Sequence, residues 1–79
     1  MATQKEKMQR YRNLDGSSGV AAYATGPDFV RIRFRNQDKV YTYSHDSAGQ
    51  EHVENLKRLA AAGRGLSTYI SRHVHDLYE

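Results

Sequence analysis

Arginine alternates with apolar residues along the segment 29–35, and this row is the first candidate for a functional site. The arginine row consists of Arg31, Arg33 and Arg35. Side chains two residues apart on a β-strand share one face and lie about 6.5–7 Å from each other. Successive phosphates of a nucleic-acid strand have a similar separation, so the row could contact a phosphate backbone. The alternative is a solvated sheet face whose charge is offset locally by Asp28 and Asp38.

Tyrosine supplies the second candidate group. Tyr41 and Tyr43 stand in another alternating segment, and together with Phe34 they could form a platform on which nucleic-acid bases stack. The alternative is that these side chains are core residues, because amphipathic helices elsewhere in the chain need an apolar sheet face to cover. We expect the core role, with the tyrosine hydroxyls reaching the rim of the core.

The four histidines lack the spacing of a metal site. On a helix, His73 and His75 would point about 200° apart, and no third ligand stands at a recognisable spacing from His45 and His52. We expect no bound metal ion, and we interpret His73 as a hydrogen-bonded histidine at a helix interface.

No segment combines the groups that catalysis requires. The consecutive residues 44–46, Ser-His-Asp, point apart and cannot act as a triad. Residues 63–65, Gly-Arg-Gly, lack the lysine and the hydroxyl residue of a phosphate-binding loop. A domain of about 60 ordered residues also rarely encloses a ligand pocket of roughly 300 Å³ or more. We therefore predict a non-enzyme with no catalytic residue and no cofactor.

Composition points to one small domain. The chain has 79 residues, no cysteine and a formal net charge of +3 at pH 7. A chain of this length has a modest core, and the lack of cysteine excludes disulfides and cysteine-based zinc sites. No apolar run approaches the roughly 18 residues that span a bilayer, and residues 1–10 lack the apolar centre of a signal peptide. We expect a cytoplasmic protein without a membrane partner.

The positive charge is confined to the beginning of the chain. Residues 1–12 contain four basic residues and one acidic residue, whereas basic and acidic residues balance over 13–79. The basic residues of this segment are Lys5, Lys7, Arg10 and Arg12. The segment is too short and polar to form a stable helix alone. We therefore predict a basic flexible tail at 1–16, with a short docked helix as the alternative, followed by a single domain at 17–79.

The domain is predicted to begin with three antiparallel strands. Val20–Thr25 is a short strand candidate, and period-two alternation predicts strands at 29–35 and Val40–Ser44. With Gln37 and Asp38 as a hairpin loop, Phe34 would pair with Tyr41 and Ile32 with Tyr43.

Two helices are predicted after the strands. The residues 47–50 have the spacing of a capping box, and apolar residues recur at helical spacing from Val53 to Ala60, with Gly63 placed to end the helix. A second helix is predicted on a stripe that includes Leu66, Ile70 and Val74. The expected fold is therefore α+β, a three-stranded antiparallel sheet with two C-terminal helices packed on one face.

Several segments resemble the KTSC domain family. Residues 40–43, Val-Tyr-Thr-Tyr, are similar to its central Y-x-Y motif, and 30–34 are similar to its alternating strand that ends in phenylalanine. Residues 18–20 resemble the start of its first strand, and 69–74 resemble its closing helix. The residues that match its motifs are Phe34, Tyr41, Tyr43, Tyr69, Ile70 and Arg72.

The resemblance implies a fold more than a function. The family is named for an extension at the C-terminus of some lysyl-tRNA synthetases and includes small standalone bacterial and phage proteins. It has no established activity, and RNA binding is a conjecture attached to it. The chain departs from the family pattern in having no glycine in the loop 36–39 and no proline before its first helix, and Gly65 and Ser67 are exchanged.

Three hypotheses of function follow. The first is a KTSC-like module that binds RNA or another polyanion through the arginine row, with the basic residues of the tail adding long-range attraction. The second is a protein–protein adaptor or inhibitor, such as a phage protein acting on an acidic surface of a host protein. The third is self-association through Val20–Thr25 as an exposed edge strand, which would give a weak homodimer instead of a monomer.

Overall fold

A four-stranded antiparallel sheet is the centre of the fold in the computed structural model, which describes residues 8–14, 16 and 18–79. The strands are β1 (Gln9–Arg10), β2 (Val20–Thr25), β3 (Phe29–Phe34) and β4 (Val40–Ser44), adjacent in chain order. The helices that follow are α1 (His45–Ala48), α2 (Gln50–Ala62) and α3 (Leu66–Tyr69), and α3 continues into a π-helical turn at Ile70–Val74. The predicted α+β class is confirmed, but the sheet has one strand more than expected.

The additional strand lies in the segment predicted as a tail. Gln9 pairs with Tyr23 and Arg10 with Ala22, so β1 extends the sheet beside β2. The prediction of a flexible or helical tail is therefore wrong for β1, because two residues are too few to show a period. Residues 1–7, which include Lys5 and Lys7, lie outside the described residues, and their tail character stays a prediction.

Tyr11 fixes β1 to the rest of the fold. Its backbone N–H donates to the carbonyl of Ala21 at 3.0 Å, and its side chain is only 3% exposed. The Tyr11 hydroxyl accepts a hydrogen bond from the backbone N–H of Leu66 at 3.3 Å, at the start of α3. One side chain thus connects the first strand to a helix far along the chain.

The hairpin β3–β4 has a different register from the one predicted. Val30 pairs with Tyr43 and Ile32 with Tyr41, so the predicted pairing of Phe34 with Tyr41 is wrong by two residues. An even shift keeps every side chain on its predicted face. The division of the hairpin into an apolar face and a cationic face is therefore as expected.

The hairpin connection explains the shift. A two-residue loop needs left-handed conformations that Asn-Gly or Asp-Gly adopt readily, and Gln37-Asp38 offers no glycine. Instead, Asn36 takes the left-handed conformation with φ of 64°. The connection widens to residues 35–39.

The predicted capping box at 47–50 is also wrong. Ser47 N–H donates to the Ser44 hydroxyl and Ser44 N–H donates to the Ser47 hydroxyl, both at 3.0 Å, so the box starts α1. Gly49, with φ of 94°, then separates α1 from α2. The predicted end of α2 is confirmed, since Gly63 adopts the left-handed conformation with φ of 79°.

The core lies between one sheet face and the helices. Its most deeply buried large side chains are Tyr43, Ile32, Leu56, Leu66, Val20, Val30, Val53 and Val74. The core role expected for Tyr43 is confirmed, whereas Phe34 and Tyr41 are only partly buried against the core. In the part of the chain that the structure describes, no helix has both the length and the apolar character needed to cross a membrane.

β2 is not an edge strand. It lies between β1 and β3 in the sheet, so its backbone is already paired at Ala22 and Tyr23 on both sides. The condition for self-association through β2 is therefore not met at these residues.

We expect Tyr11→Ala to lower the free energy of unfolding by about 3–5 kcal/mol, as for other buried aromatic residues replaced by alanine. Urea unfolding measures this change. Leu14→Ala is the matched control, because Leu14 is 53% exposed and its loss should cost about 0.5 kcal/mol or less. Equal destabilisation by the two substitutions would show that Tyr11 does not fasten β1 to the fold.

Candidate functional sites

The sheet face opposite the helices carries the arginines of β3. Val30 and Ile32 are fully buried in the core, so alternation places Arg31 and Arg33 on the other face. Of the β2 residues, Ala22 pairs with Arg33. Its small side chain leaves room for longer neighbours to lie across it.

Three arginines line a groove on this outer face. They are Arg10, Arg33 and Arg35, and the groove has a volume of about 450 Å³. Arg10 pairs with Ala22, which in turn pairs with Arg33. The two arginines therefore stand in one row across three strands, with about 10 Å between their backbones. We call this concavity the arginine groove.

The end of β3 supplies the third arginine. Arg35 follows β3, and its backbone N–H donates to the carbonyl of Gly19 at 2.8 Å. Opposite it, the register of β2 shifts between Val20 and Ala22. Such a bulge bends a strand and redirects its side chains, and Ala21 at the bulge lines the arginine groove.

The positive charge of the arginine groove is not neutralised by its lining. None of its lining residues among 8–14, 16 and 18–79 is acidic. Asp28 and Asp38, the expected partners, form no ion pair with Arg33 or Arg35, and Arg10 has no carboxylate partner among the described residues. Guanidinium groups carry a permanent charge and bind oxyanions through planar pairs of hydrogen bonds. The groove is thus suited to a phosphate or carboxylate ligand.

Arg31 lies outside the arginine groove. Its Nε donates to the Thr42 hydroxyl at 3.2 Å, and its guanidinium carbon lies 4.6 Å from the centroid of the Phe29 ring. These contacts hold the side chain on the same outer face but farther along β3. The predicted arginine row therefore divides, with two members in the groove and one held beside it.

Arg12 has a different role from Arg10. Its Nη2 donates to the carbonyl of Ala61 at 2.7 Å, in the last turn of α2. A cation at this place satisfies a terminal carbonyl and complements the helix dipole. The prediction grouped Arg10 and Arg12 as general attraction, whereas the structure places only Arg10 at the groove.

Tyr69 links α2 to α3. Its hydroxyl accepts from Asn55 Nδ2 at 3.0 Å and lies 2.7 Å from His52 Nδ1. His73 stacks at 4.5 Å between ring centroids on Tyr69 but is exposed and forms no hydrogen bond with the described residues. The histidine that is hydrogen-bonded at this helix interface is therefore His52 and not His73.

The other family-motif residues of the last helix differ in burial. Ile70 is buried in the core, whereas Arg72 is exposed and forms neither a hydrogen bond nor an ion pair with the described residues. The described part of the chain also contains no group of three or more potential metal ligands.

The residues of the Ser-His-Asp segment have structural partners. Ser44 caps α1, and His45 Nε2 lies 3.0 Å from Glu54 Oε2, which Lys57 Nζ also approaches at 3.0 Å. The hydrogen bonds from His45 and then Lys57 lower the pKa of the exposed Glu54 carboxyl. This cluster links α1 to α2.

A second groove lies beside β4, on the side of the helices. It has a volume of about 370 Å³, and we call it the aromatic groove. Its aromatic lining residues are Phe34, Tyr41, Tyr43 and Tyr78. Tyr78 meets Tyr41 edge to face at 4.8 Å between ring centroids and Tyr43 at 6.1 Å. Both concavities are open grooves and not enclosed pockets.

No family model matches the chain, and no match to it was found among the curated proteins or the solved structures. The resemblance to the KTSC domain family stays a prediction that depends on the short motifs quoted above.

Burial raises the pKa of Tyr43 from 10.0 to about 12, and the neighbouring phenols of Tyr78 and Tyr41 add to this shift. In the unfolded chain the phenol ionises near its ordinary value, so the stability that neutral Tyr43 contributes is complete below pH 10 and is lost toward pH 12. We expect Tyr43→Phe to reduce this loss of stability, measured by urea unfolding across that range. An identical pH dependence in the two proteins would contradict the assignment.

Proposed function

We propose that this protein is a small non-enzymatic binding module, similar to KTSC domains, that acts in the cytoplasm and binds RNA or another polyanion in the arginine groove. The observation that carries the proposal is the convergence of Arg10, Arg33 and Arg35 on one concavity in which no described lining residue is acidic. Like charges brought together repel each other, and a bound oxyanion relieves that repulsion.

The distribution of charge supports a local contact. Basic and acidic residues balance over 13–79, so the domain has no large overall field to attract a polyanion. Affinity must then come from the few phosphates that the groove itself contacts. Each neutralised phosphate of a single strand contributes about −0.7 to the slope of log affinity against log salt concentration. Three contacts therefore imply a slope of about −2.

The double variant Arg33→Gln/Arg35→Gln tests the arginine groove directly. We expect its slope to fall to about −0.7, together with a loss of affinity for a labelled single-stranded RNA, measured by fluorescence anisotropy over a salt series. Arg64→Gln is the matched control for charge, because Arg64 is exposed beyond the end of α2. The proposal fails if the protein does not bind RNA or heparin even at low salt. It also fails if Arg64→Gln, which removes one charge, weakens binding by half as much in free energy as the double variant, which removes two.

Arg10 and Arg12 provide a test within one short segment. We expect Arg10→Gln to weaken RNA binding and to reduce the salt slope by about 0.7, because Arg10 lines the groove. Arg12→Gln should leave binding unchanged and lower the free energy of unfolding by about 0.3–1 kcal/mol, because it removes a cation from a helix C-terminus. Equal effects of both substitutions on binding would indicate general attraction instead of a groove contact.

A second candidate function is a protein–protein adaptor that binds an acidic partner. The observation that favours it is the mixed character of the outer face, where Arg31 stacks on Phe29 and Val40, paired with Arg33, is 39% exposed. Arginine and aromatic residues are enriched in protein interfaces. A pull-down with and without nuclease separates the two functions, since a protein partner that survives nuclease and is lost in Arg33→Gln/Arg35→Gln supports the adaptor.

A further inference from the structure

The hydroxyl of Tyr43 has no hydrogen-bond partner in the described part of the chain. Tyr43 is 1% exposed and lines the aromatic groove, yet it forms no hydrogen bond with any described residue. Buried tyrosine hydroxyls usually find a partner. Every fully enclosed side-chain nitrogen or oxygen among the described residues has a hydrogen-bond partner. Because the Tyr43 hydroxyl has none, it is not fully enclosed and reaches the groove surface. It is a hydrogen-bond donor and acceptor at a residue that lines the aromatic groove.

Aromatic rings and a wide helical turn enclose this hydroxyl. Tyr41 and Tyr78 meet at an interplanar angle of 83°, which forms a corner of two rings. Tyr78 is held there because the backbone N–H of Glu79 donates to the carbonyl of Thr42 at 2.8 Å. The opposite wall includes Ile70, the first residue of the π-helical turn, and such turns frequently occur at functional sites.

A cation lies over two rings of the aromatic groove, and a carboxylate is among its lining residues. The Lys39 ammonium lies 5.0 Å from the centroid of the Tyr41 ring and 5.7 Å from that of Tyr78. Asp76, on the C-terminal side, is exposed and also lines the groove. A carboxylate at the rim disfavours a phosphate inside, whereas an uncharged flat ring can pack on the tyrosines and accept from Tyr43. Lys39 can then meet an anion attached to that ring.

The two grooves flank the same end of β3. Phe34 lines the aromatic groove, and its neighbours Arg33 and Arg35 line the arginine groove. Because neighbouring residues of a strand point to opposite faces, the two grooves lie on opposite sides of the sheet. A flexible strand that occupies both must bend round the connection 35–39.

We propose that the aromatic groove binds one unstacked nucleobase of a single-stranded nucleic acid whose backbone lies in the arginine groove. The base packs against Tyr41 and Tyr78 and accepts a hydrogen bond from the Tyr43 hydroxyl, with Lys39 near the adjoining phosphate. This inference rests on the proposed function, since the arginine groove holds the backbone.

Two labelled oligoribonucleotides of equal length and charge test the inference, one with its bases and one abasic throughout. We expect the protein to bind the base-bearing strand roughly 5- to 150-fold more tightly in fluorescence anisotropy, which corresponds to stacking of one base. Tyr78→Ala should abolish most of this preference. Tyr43→Phe, which keeps the ring, should reduce the preference about 2- to 10-fold.

Leu77→Ala is the matched control, because Leu77 precedes Tyr78, is 37% exposed and does not line the groove. It should keep the full preference, and thermal unfolding confirms that each variant is folded. Equal affinity for the two strands overturns this inference and leaves the proposed function intact. A failure to bind either strand overturns the proposed function and this inference with it.

Two further outcomes would overturn the inference alone. One is a preference for bases that persists in both Tyr43→Phe and Tyr78→Ala, which would place the base elsewhere. The other is a set of amide shifts at Tyr43 and Ile70 that a proline- and tyrosine-containing peptide produces and the base-bearing strand does not. That result would assign the aromatic groove to a protein partner.

Discussion

The alternation of side chains along β3 is the constraint on which both grooves depend. Val30 and Ile32 are fully buried against the helices, so Arg31 and Arg33 can only face outward. A slip by one residue would place guanidinium groups in the core, and an uncompensated buried charge costs several kcal/mol. A slip by two residues changes no face, and the register of β3 with β4 differs from the expected one by that step. The sheet face on which each arginine lies is thus fixed more firmly than the residue of β4 with which it pairs.

The same rule couples the N-terminal strand to the core. Adjacent residues of a strand point to opposite faces, so burial of Tyr11 under the helices sets Arg10 on the outer face, beside Arg33 across Ala22. Arg12 belongs to the same short segment but lies beyond the strand, where it reaches the end of α2. A residue that stabilises the fold therefore also completes the arginine groove, and the groove exists only while β1 is paired.

Sequence reasoning succeeds here where a pattern extends over several residues and fails where one contact decides. The alternation of β3 and β4 and the helical spacing up to Gly63 were sufficient for the α+β class, the cationic face and the core position of Tyr43. β1 is too short for a pattern, and its place depends on the single side chain of Tyr11. The hairpin register depended on Asn36, which adopts a left-handed conformation. The start of α1 depended on the capping hydrogen bonds between Ser44 and Ser47. The aromatic groove needed Tyr78, whose position depends on long-range packing that no local spacing encodes.

The two grooves would contribute different kinds of selectivity. The arginine groove offers charge and planar hydrogen-bond donors, which any phosphate chain can use, so it cannot by itself distinguish paired from unpaired strands. The aromatic groove can admit a base only when that base has left its stack, which costs little in a single strand and a few kcal/mol in a duplex. Because Phe34 lies between Arg33 and Arg35 in the chain, the sheet fixes the distance between the two contacts. Together the proposals imply a module that binds weakly through charge and selects unpaired strands through one base.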